Sequence, residues 1–235
     1  MNGSENTYRL KEHYERRKLS IKAVIFDLDG TLVDSIHGIA YSLNMVLAER
    51  GFPVHSVEKC KDFVGNGFSE LVRRAVPEGH RSQEEISSCL ARLREVYARH
   101  WDHGMYAYEG IEDLLEYLQS HGISFAIDTN KDESVAKEIA LRFFPRFSFF
   151  RVAGNTPYMP KKPDPARALG ILNDLGIAPG QCIYLGDSEV DIITARNAGI
   201  HHVGAAWGFR GAELLARAGA EMIIQKPMDL VRYLE

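Results

Sequence analysis

The sequence predicts an α/β protein: a Rossmann-like, doubly wound, mostly parallel sheet with a small helical domain inserted just after its first strand. Three observations carry this reading. Short β-branched apolar runs at Ile21–Phe26, Ile123–Ile127 and Cys182–Leu185 each stop at a polar segment containing Asp or Gly, the grammar of buried strands that end in loops. Helical periodicity follows each strand, and such alternation implies right-handed crossovers and a sheet covered on both faces. Residues 34–106 are too many for a structureless loop, yet they carry only helical stripes.

The elements follow in order. Residues 1–20 are polar and form an N-terminal extension, with Arg9, Lys11, Arg16, Arg17 and Lys18 outweighing Glu5, Glu12 and Glu15. Core segments 21–34 and 107–235 flank the inserted domain, 35–106. Within the insert, Ile36, Ile39, Leu43, Val46 and Leu47 make one stripe. Leu71, Val72 and Ala75 make a second, and Ile86, Leu90, Leu93 and Tyr97 a third, with Pro53, Gly65, Gly67, Pro77 and Gly79 as punctuation. Core helices are predicted over 110–121, 133–144, 164–175, 190–198 and 211–218, from apolar residues three and four apart such as Val135, Ile139 and Phe143. Weaker strands fit Phe149–Val152, His202–Ala205 and Met222–Ile224.

Composition excludes several function classes. The 235 residues are 45% hydrophobic and 26% charged, ordinary for a globular chain. A net charge of −4 offers no basic excess to a phosphodiester backbone, so nucleic acid is not an expected partner. No apolar run approaches the roughly 18–20 residues of a membrane span, and the polar N-terminus lacks a secretory signal, so a soluble cytoplasmic protein without a membrane partner is expected. Cys60, Cys89 and Cys182 are far apart and lack metal or redox spacing, which makes them reduced apolar side chains.

Chemistry gathers beyond the carboxyl ends of strands in such sheets. Asp27 and Asp29 are two apart at the first strand's end, so both carboxylates project to one side. Asp187 and Asp191 follow the Cys182 strand in Gly186-Asp187-Ser188-x-x-Asp191. Four carboxylates converging on one crevice require a hard divalent cation, and with few protein ligands and room for water Mg²⁺ suits better than Ca²⁺. A cation beside a carboxylate nucleophile points to phosphoryl chemistry, because it screens the repulsion between two anions. Thr129-Asn130 before helix 133–144 offer a hydroxyl and helix-start N–H groups to an anion. Lys162, held by Pro163 and Pro165, supplies a compact positive charge. Read singly, an Asp-Gly turn, a Thr-Asn helix cap and a loop lysine are each commonplace.

Together these segments resemble the four motifs of the haloacid dehalogenase superfamily: Phe26-Asp27-Leu28-Asp29-Gly30-Thr31-Leu32-Val33-Asp34-Ser35, Thr129-Asn130-Lys131, Lys162-Pro163-Asp164-Pro165, and Gly186-Asp187-Ser188 through Asp191. The likeness is greatest to the phosphoglycolate phosphatase branch. It implies that Asp27 attacks phosphorus and becomes an aspartyl phosphate, while Asp29, its pKa raised with help from Asp27, protonates the leaving oxygen and later deprotonates water. Mg²⁺ would be held by Asp27, the backbone carbonyl of Asp29, and Asp187, with Asp191 completing or orienting that shell. Thr129 and Asn130 would hold phosphoryl oxygens and Lys162 would neutralise nucleophile and phosphate.

The inserted domain resembles the superfamily's cap, and its loop Val64-Gly65-Asn66-Gly67-Phe68 resembles a substrate-binding cap motif. Glycines at a helix start can bring N–H groups of Gly65, Asn66 and Gly67 to a small carboxylate, or can simply end two helices. Arg73 and Arg74 read as solvated helix charges. No arginine follows the cap glycine as in sugar phosphate mutases, no Schiff-base lysine stands there as in phosphonatases, and Asp29 argues against dehalogenation. The expected substrate is a small phosphate monoester, phosphoglycolate-like; pyrophosphate, nucleotides and sugar phosphates stay open. A receiver-like or degenerate regulatory module is the non-enzyme alternative, and a receiver would place its acceptor aspartate after a middle strand. His100 and His103 read as a surface helix turn, His201-His202 as packing, and Trp207–Gly211 as a loop near the entrance without a catalytic role.

Overall fold

The computed structural model describes residues 21–234; the N-terminal extension lies outside the described residues. Six parallel strands form the main sheet in the order β5-β4-β1-β6-β7-β8, with β1 at Ala23–Phe26, β4 at Ser124–Asp132, β5 at Val152–Asn155, β6 at Cys182–Gly186, β7 at His201–Ala205 and β8 at Met222–Ile224. The chain builds outward from β1 to β4 and β5 on one side, then crosses to β6, β7 and β8 on the other. That reversal opens a crevice at the carboxyl ends of β1 and β6.

Period-two alternation sorts the strand residues between two cores. Val24 and Phe26 pack on one face with Leu114 and Leu118 of α5 (Ile111–Ser120) and Ile139 of α6 (Glu133–Phe143). Ala23 and Ile25 point to the other, against Ala168 and Ile171 of α7 (Ala166–Leu175) and Ala195 and Ala198 of α8 (Glu189–Ala198). Small alanines bring α7 and α8 close to that face, and α9 (Gly211–Arg217) lies beside β7 and β8.

The inserted segment holds four helices, which we label α1 (Ile36–Glu49), α2 (Val57–Phe63), α3 (Phe68–Ala75) and α4 (Gln83–His100). They close on their own apolar cluster, which includes Ile39, Leu43, Leu71, Leu93 and Tyr97. The short α2 was not visible as a stripe in the sequence. A two-stranded antiparallel ribbon was not expected either: β2 (Val33–Asp34) pairs with β3 (Tyr106–Ala107), where the chain enters and leaves the helices. Tyr106 closes this ribbon, its hydroxyl donating to Asp34 at 3.0 Å.

Two core strands also differ from expectation. β4 runs on to Asp132 rather than stopping at Ile127, because its polar tail pairs with β5 after a register shift between Asp128 and Asp132. β5 itself begins at Val152, so Phe149 sits before it, edge-on to Phe125.

Candidate active site

Asp27 directly follows β1, its N–H donating to Leu185 O at 2.9 Å. The chain then turns sharply: Leu28 O accepts from the N–H groups of Thr31, Leu32 and Val33. Gly30 makes the turn at φ 85°, and a Cβ there would come within 2.3 Å of Asp187 Oδ2. Only glycine meets both demands.

Asp187 and Asp191 reach the same point from β6 and α8. One oxygen of each of Asp27, Asp187 and Asp191 lies within 4.8 Å of the others, and all three residues are buried. Burial raises the Asp27 pKa to about 7; Lys162 opposes that rise, and the negative charges of Asp191 and Asp29 add to it. Burial, then Asp191 and Asp27, holds Asp187 well above the usual carboxylate range. Buried, mutually repelling carboxylates of this kind fit a hard divalent cation. Asp191 is already heavily engaged: Oδ1 accepts from Lys162 Nζ at 2.7 Å, and Oδ2 from Ser188 N and Oγ at 3.1 and 2.6 Å. This ties it to the lysine as well as to the acidic cluster.

Lys162 is buried, with Nζ 2.9 Å from Asp27 Oδ1 and donating to Asp128 O at 2.9 Å. Burial alone would lower its pKa, but Asp191, Asp27 and Asp128 raise it overall, so the side chain stays charged. Behind it, Arg167 Nε donates to Asp128 Oδ1 at 2.7 Å in a buried pair, and Tyr184 Oη donates to the same aspartate. This brace was not anticipated from the sequence.

Asp29 differs from its expected setting. Both its oxygens lie 2.9 Å from the buried Nζ of Lys131, and Ser35 Oγ donates to Oδ1. A cation, rather than the neighbouring aspartate, governs its surroundings in this arrangement. Lys131 in turn sits 4.8 Å from the Tyr97 ring centroid and 5.9 Å from that of Phe68, both in the helical insert. Burial would lower the Lys131 pKa, but Asp29 lifts it overall. The sequence signal for Lys131 is alternation, since Thr129 and Lys131 share one side of the extended β4.

Thr129 is buried and its Oγ1 accepts from Lys131 N at 3.3 Å, which leaves its own proton to donate. Asn130 lines the cavity, but its side-chain amide is committed elsewhere. Its Nδ2 donates to Lys162 O and Gly65 O, both at 3.1 Å, and its Oδ1 accepts from Lys162 N and Arg167 Nη2, both at 2.9 Å. The amide is fully used as a brace between β4, the lysine loop and the insert, so it has no donor left for a phosphoryl oxygen.

The helical insert closes over these groups and leaves a cavity of about 40 Å³ lined by Asp27, Asp29, Thr129, Lys131 and Asp187 below and by Gly65, Gly67, Phe68 and Leu71 above. Gly67 precedes α3 at φ 80°, and a Cβ there would crowd Asn130 O at 3.3 Å and Lys161 Nζ at 3.2 Å. Asn66 is not among the lining residues. Arg73 bonds Glu70, while Arg74 bonds Glu70 and the carbonyls of Asp62 and Phe63, so neither lines the cavity. Arg210 and Phe209 line it, so the Trp207–Gly211 loop near the entrance also forms part of the cavity wall. His100 and His103 pack on Tyr41, and His202 is buried in the sheet.

With this geometry in view, the comparisons with known proteins decide the family. The sequence model of the haloacid dehalogenase-like hydrolases matches residues 24–205. The chain is a haloacid dehalogenase-like hydrolase. Its curated relatives include Phosphoglycolate phosphatase 1 of Pseudomonas aeruginosa, 33% identical over 217 residues that cover 89% of this chain and 78% of the relative. A phosphoglycolate phosphatase of Vibrio parahaemolyticus is 29% identical over 90% of this chain and 95% of its own length. Among solved structures, a haloacid dehalogenase-like family hydrolase of Streptococcus pneumoniae superposes with a TM-score of 0.83 at 29% identity, covering 92% of this chain and 99% of that one. The acidic cluster, the buried Lys162 and Thr129 all lie within the span that the family model matches.

Proposed function

We propose that this hydrolase is a Mg²⁺-dependent phosphatase that cleaves a small phosphate monoester of the phosphoglycolate kind through an aspartyl phosphate on Asp27. The observation that carries the reading is the setting of Asp27: a buried carboxylate at the tip of β1, facing the cavity beneath the insert, with Lys162 Nζ at 2.9 Å and Asp187 and Asp191 beside it. Curated relatives named phosphoglycolate phosphatase support the substrate class.

Mg²⁺ held by Asp27, Asp187 and the Asp29 carbonyl would screen the repulsion between carboxylate and phosphate. An Asp27 oxygen attacks phosphorus and the bond to the ester oxygen breaks. Asp29 delivers a proton to the departing oxygen and, as a carboxylate again, takes one from the water that hydrolyses the aspartyl phosphate. Lys131 and Ser35 orient Asp29 in the closed arrangement; when an ester occupies the cavity, one Asp29 oxygen turns to the leaving oxygen while Lys131 keeps the other. Lys162 balances charge on Asp27 and the phosphoryl group throughout, and Thr129 Oγ1 donates to a phosphoryl oxygen.

The test is phosphate release from a panel of monoesters with and without Mg²⁺. The expected result is metal-dependent turnover with kcat/KM highest for phosphate monoesters of two- and three-carbon hydroxy acids. Equal rates in excess chelator, or a nucleotide preferred over every small ester, would contradict the proposal.

A further inference from the structure

Several cations line or flank the cavity. Lys162 and Lys131 face aspartates that the proposed reaction uses, whereas Arg210 has no part in it. Its side chain is only 11% exposed, and Nε lies 3.3 Å from Glu189 Oε2 at the start of α8. From that anchor the guanidinium crosses to the helical insert, where Nη2 donates to Val64 O at 2.8 Å and Nη1 to Lys61 O. These carbonyls belong to the end of α2, where main-chain acceptors lack intrahelical partners and the negative end of the helix dipole favours a cation. Arg74, from the insert itself, covers the two carbonyls between them, Asp62 O and Phe63 O, at 3.2 and 3.4 Å. The last turn of α2 is thus capped half by its own domain and half by the core.

Behind Arg210 the chain is pinned to the acidic cluster. Phe209 N–H donates to Asp187 Oδ2 at 2.7 Å, and Trp207 Nε1 donates to Thr31 O at 3.0 Å. Gly208 is wedged between them: a Cβ there would lie 2.2 Å from Asp187 Cβ and 2.3 Å from Gly30 O. One short segment therefore grips a buried carboxylate at one end and, at the other, the main chain that leads into Gly65 and Gly67 over Asp27.

We propose that Arg210 is a positioning residue that couples closure of the insert to the acidic site, so that a divalent cation at Asp187 and the seating of residues 61–67 favour each other. The inference rests on the metal reading under Proposed function and goes beyond it, since that reading gives Arg210 no task. The coupling is reciprocal, as linkage requires.

Amide hydrogen exchange, measured alongside calorimetric titration with MgCl₂, tests it. In the wild-type protein, saturating Mg²⁺ is expected to slow exchange of the amides of residues 61–68 by about fivefold or more, the usual lower end of coupling between sites. In Arg210→Gln, Mg²⁺ still binds by calorimetry but the slowing is lost, and Arg210→Lys, which can reach one carbonyl rather than two, retains part of it. Unchanged exchange in β1 and β6 shows that the variants are folded. Glu189→Gln, which frees the anchored end of Arg210, is the second variant and decides the matter should Arg210→Gln fail to fold; it is expected to weaken the slowing. Equal slowing in wild type and in the folded variants would overturn the coupling, as would Mg²⁺ binding to wild type with no slowing. A wild-type protein that gives no Mg²⁺ binding would overturn the metal reading and the coupling together.

Discussion

At the scale of single residues, Asp27 sets an opposition between stability and chemistry. Its folded-state pKa of about 7 lies above the ordinary carboxylate value, so the folded form holds the extra proton between roughly pH 4 and 7, and stability falls as pH rises through that window. Asp27→Asn removes the buried charge. In chelator-treated protein the variant should melt higher than wild type at pH 8, by about 2–4 °C for each kcal/mol regained, with the difference shrinking toward pH 5; its turnover should fall at least a thousandfold, ~4 kcal/mol of lost barrier reduction. Thermal melts across pH and a phosphate-release assay check both halves. Lys131→Met should leave Asp29 without its cation, lowering kcat by about 10–100-fold with a smaller change in KM, as for a group that acts on the acid–base residue rather than on substrate binding. The gathering of Asp27 and Asp187 was legible in the sequence because each directly follows a buried strand, and Lys162 stood out as a lysine fixed before prolines. The full engagement of the Asn130 amide was not, since it depends on Arg167 and Lys162, more than thirty residues away in sequence.

At the scale of elements, the strongly periodic segments were legible and the short ones were not. β1, with four buried residues in succession, and α1, with apolar residues at three- and four-residue spacing, announce themselves. α2 has seven residues and only Cys60 and Phe63 buried, too few to show a period, and β2 and β3 are two residues each. The polar extension of β4 is not legible as strand because pairing with β5 overrides the low strand propensity of its residues. On β7, His202 is buried, and burial lowers its pKa to about 4 from the ordinary 6.5. The unfolded chain therefore binds the proton first, so stability is full above about pH 6.5 and is lost as pH falls toward 4, by roughly 3 kcal/mol at most. His202→Gln should flatten that part of the acid-unfolding profile, whatever its effect at pH 7. Gly30→Ala is expected to strain the turn and push Asp187 aside, destabilising the fold and weakening Mg²⁺ binding by at least tenfold in calorimetry.

At the scale of the whole molecule, the order β5-β4-β1-β6-β7-β8 places Asp27 beside the strand-order reversal, and the insert after β1 folds back over that point. The alternation of strands and helices made this architecture readable, whereas the closure contacts were not, because Arg210 and Asn130 meet carbonyls of the insert's main chain and main-chain partners leave no trace in residue type. A cation binding only the folded acidic cluster stabilises the fold by mass action, so Mg²⁺ at a hundred times its dissociation constant should add about 2.7 kcal/mol, and excess chelator should reverse the gain in melting temperature. The central claim, that Asp27 itself bonds to phosphorus, is met most directly by a crystal structure grown with Mg²⁺ and beryllofluoride. The expected result is beryllium joined to an Asp27 oxygen, with its fluorines facing Lys162 and Thr129; beryllofluoride seated on any other side chain, with Asp27 unmodified, would contradict it.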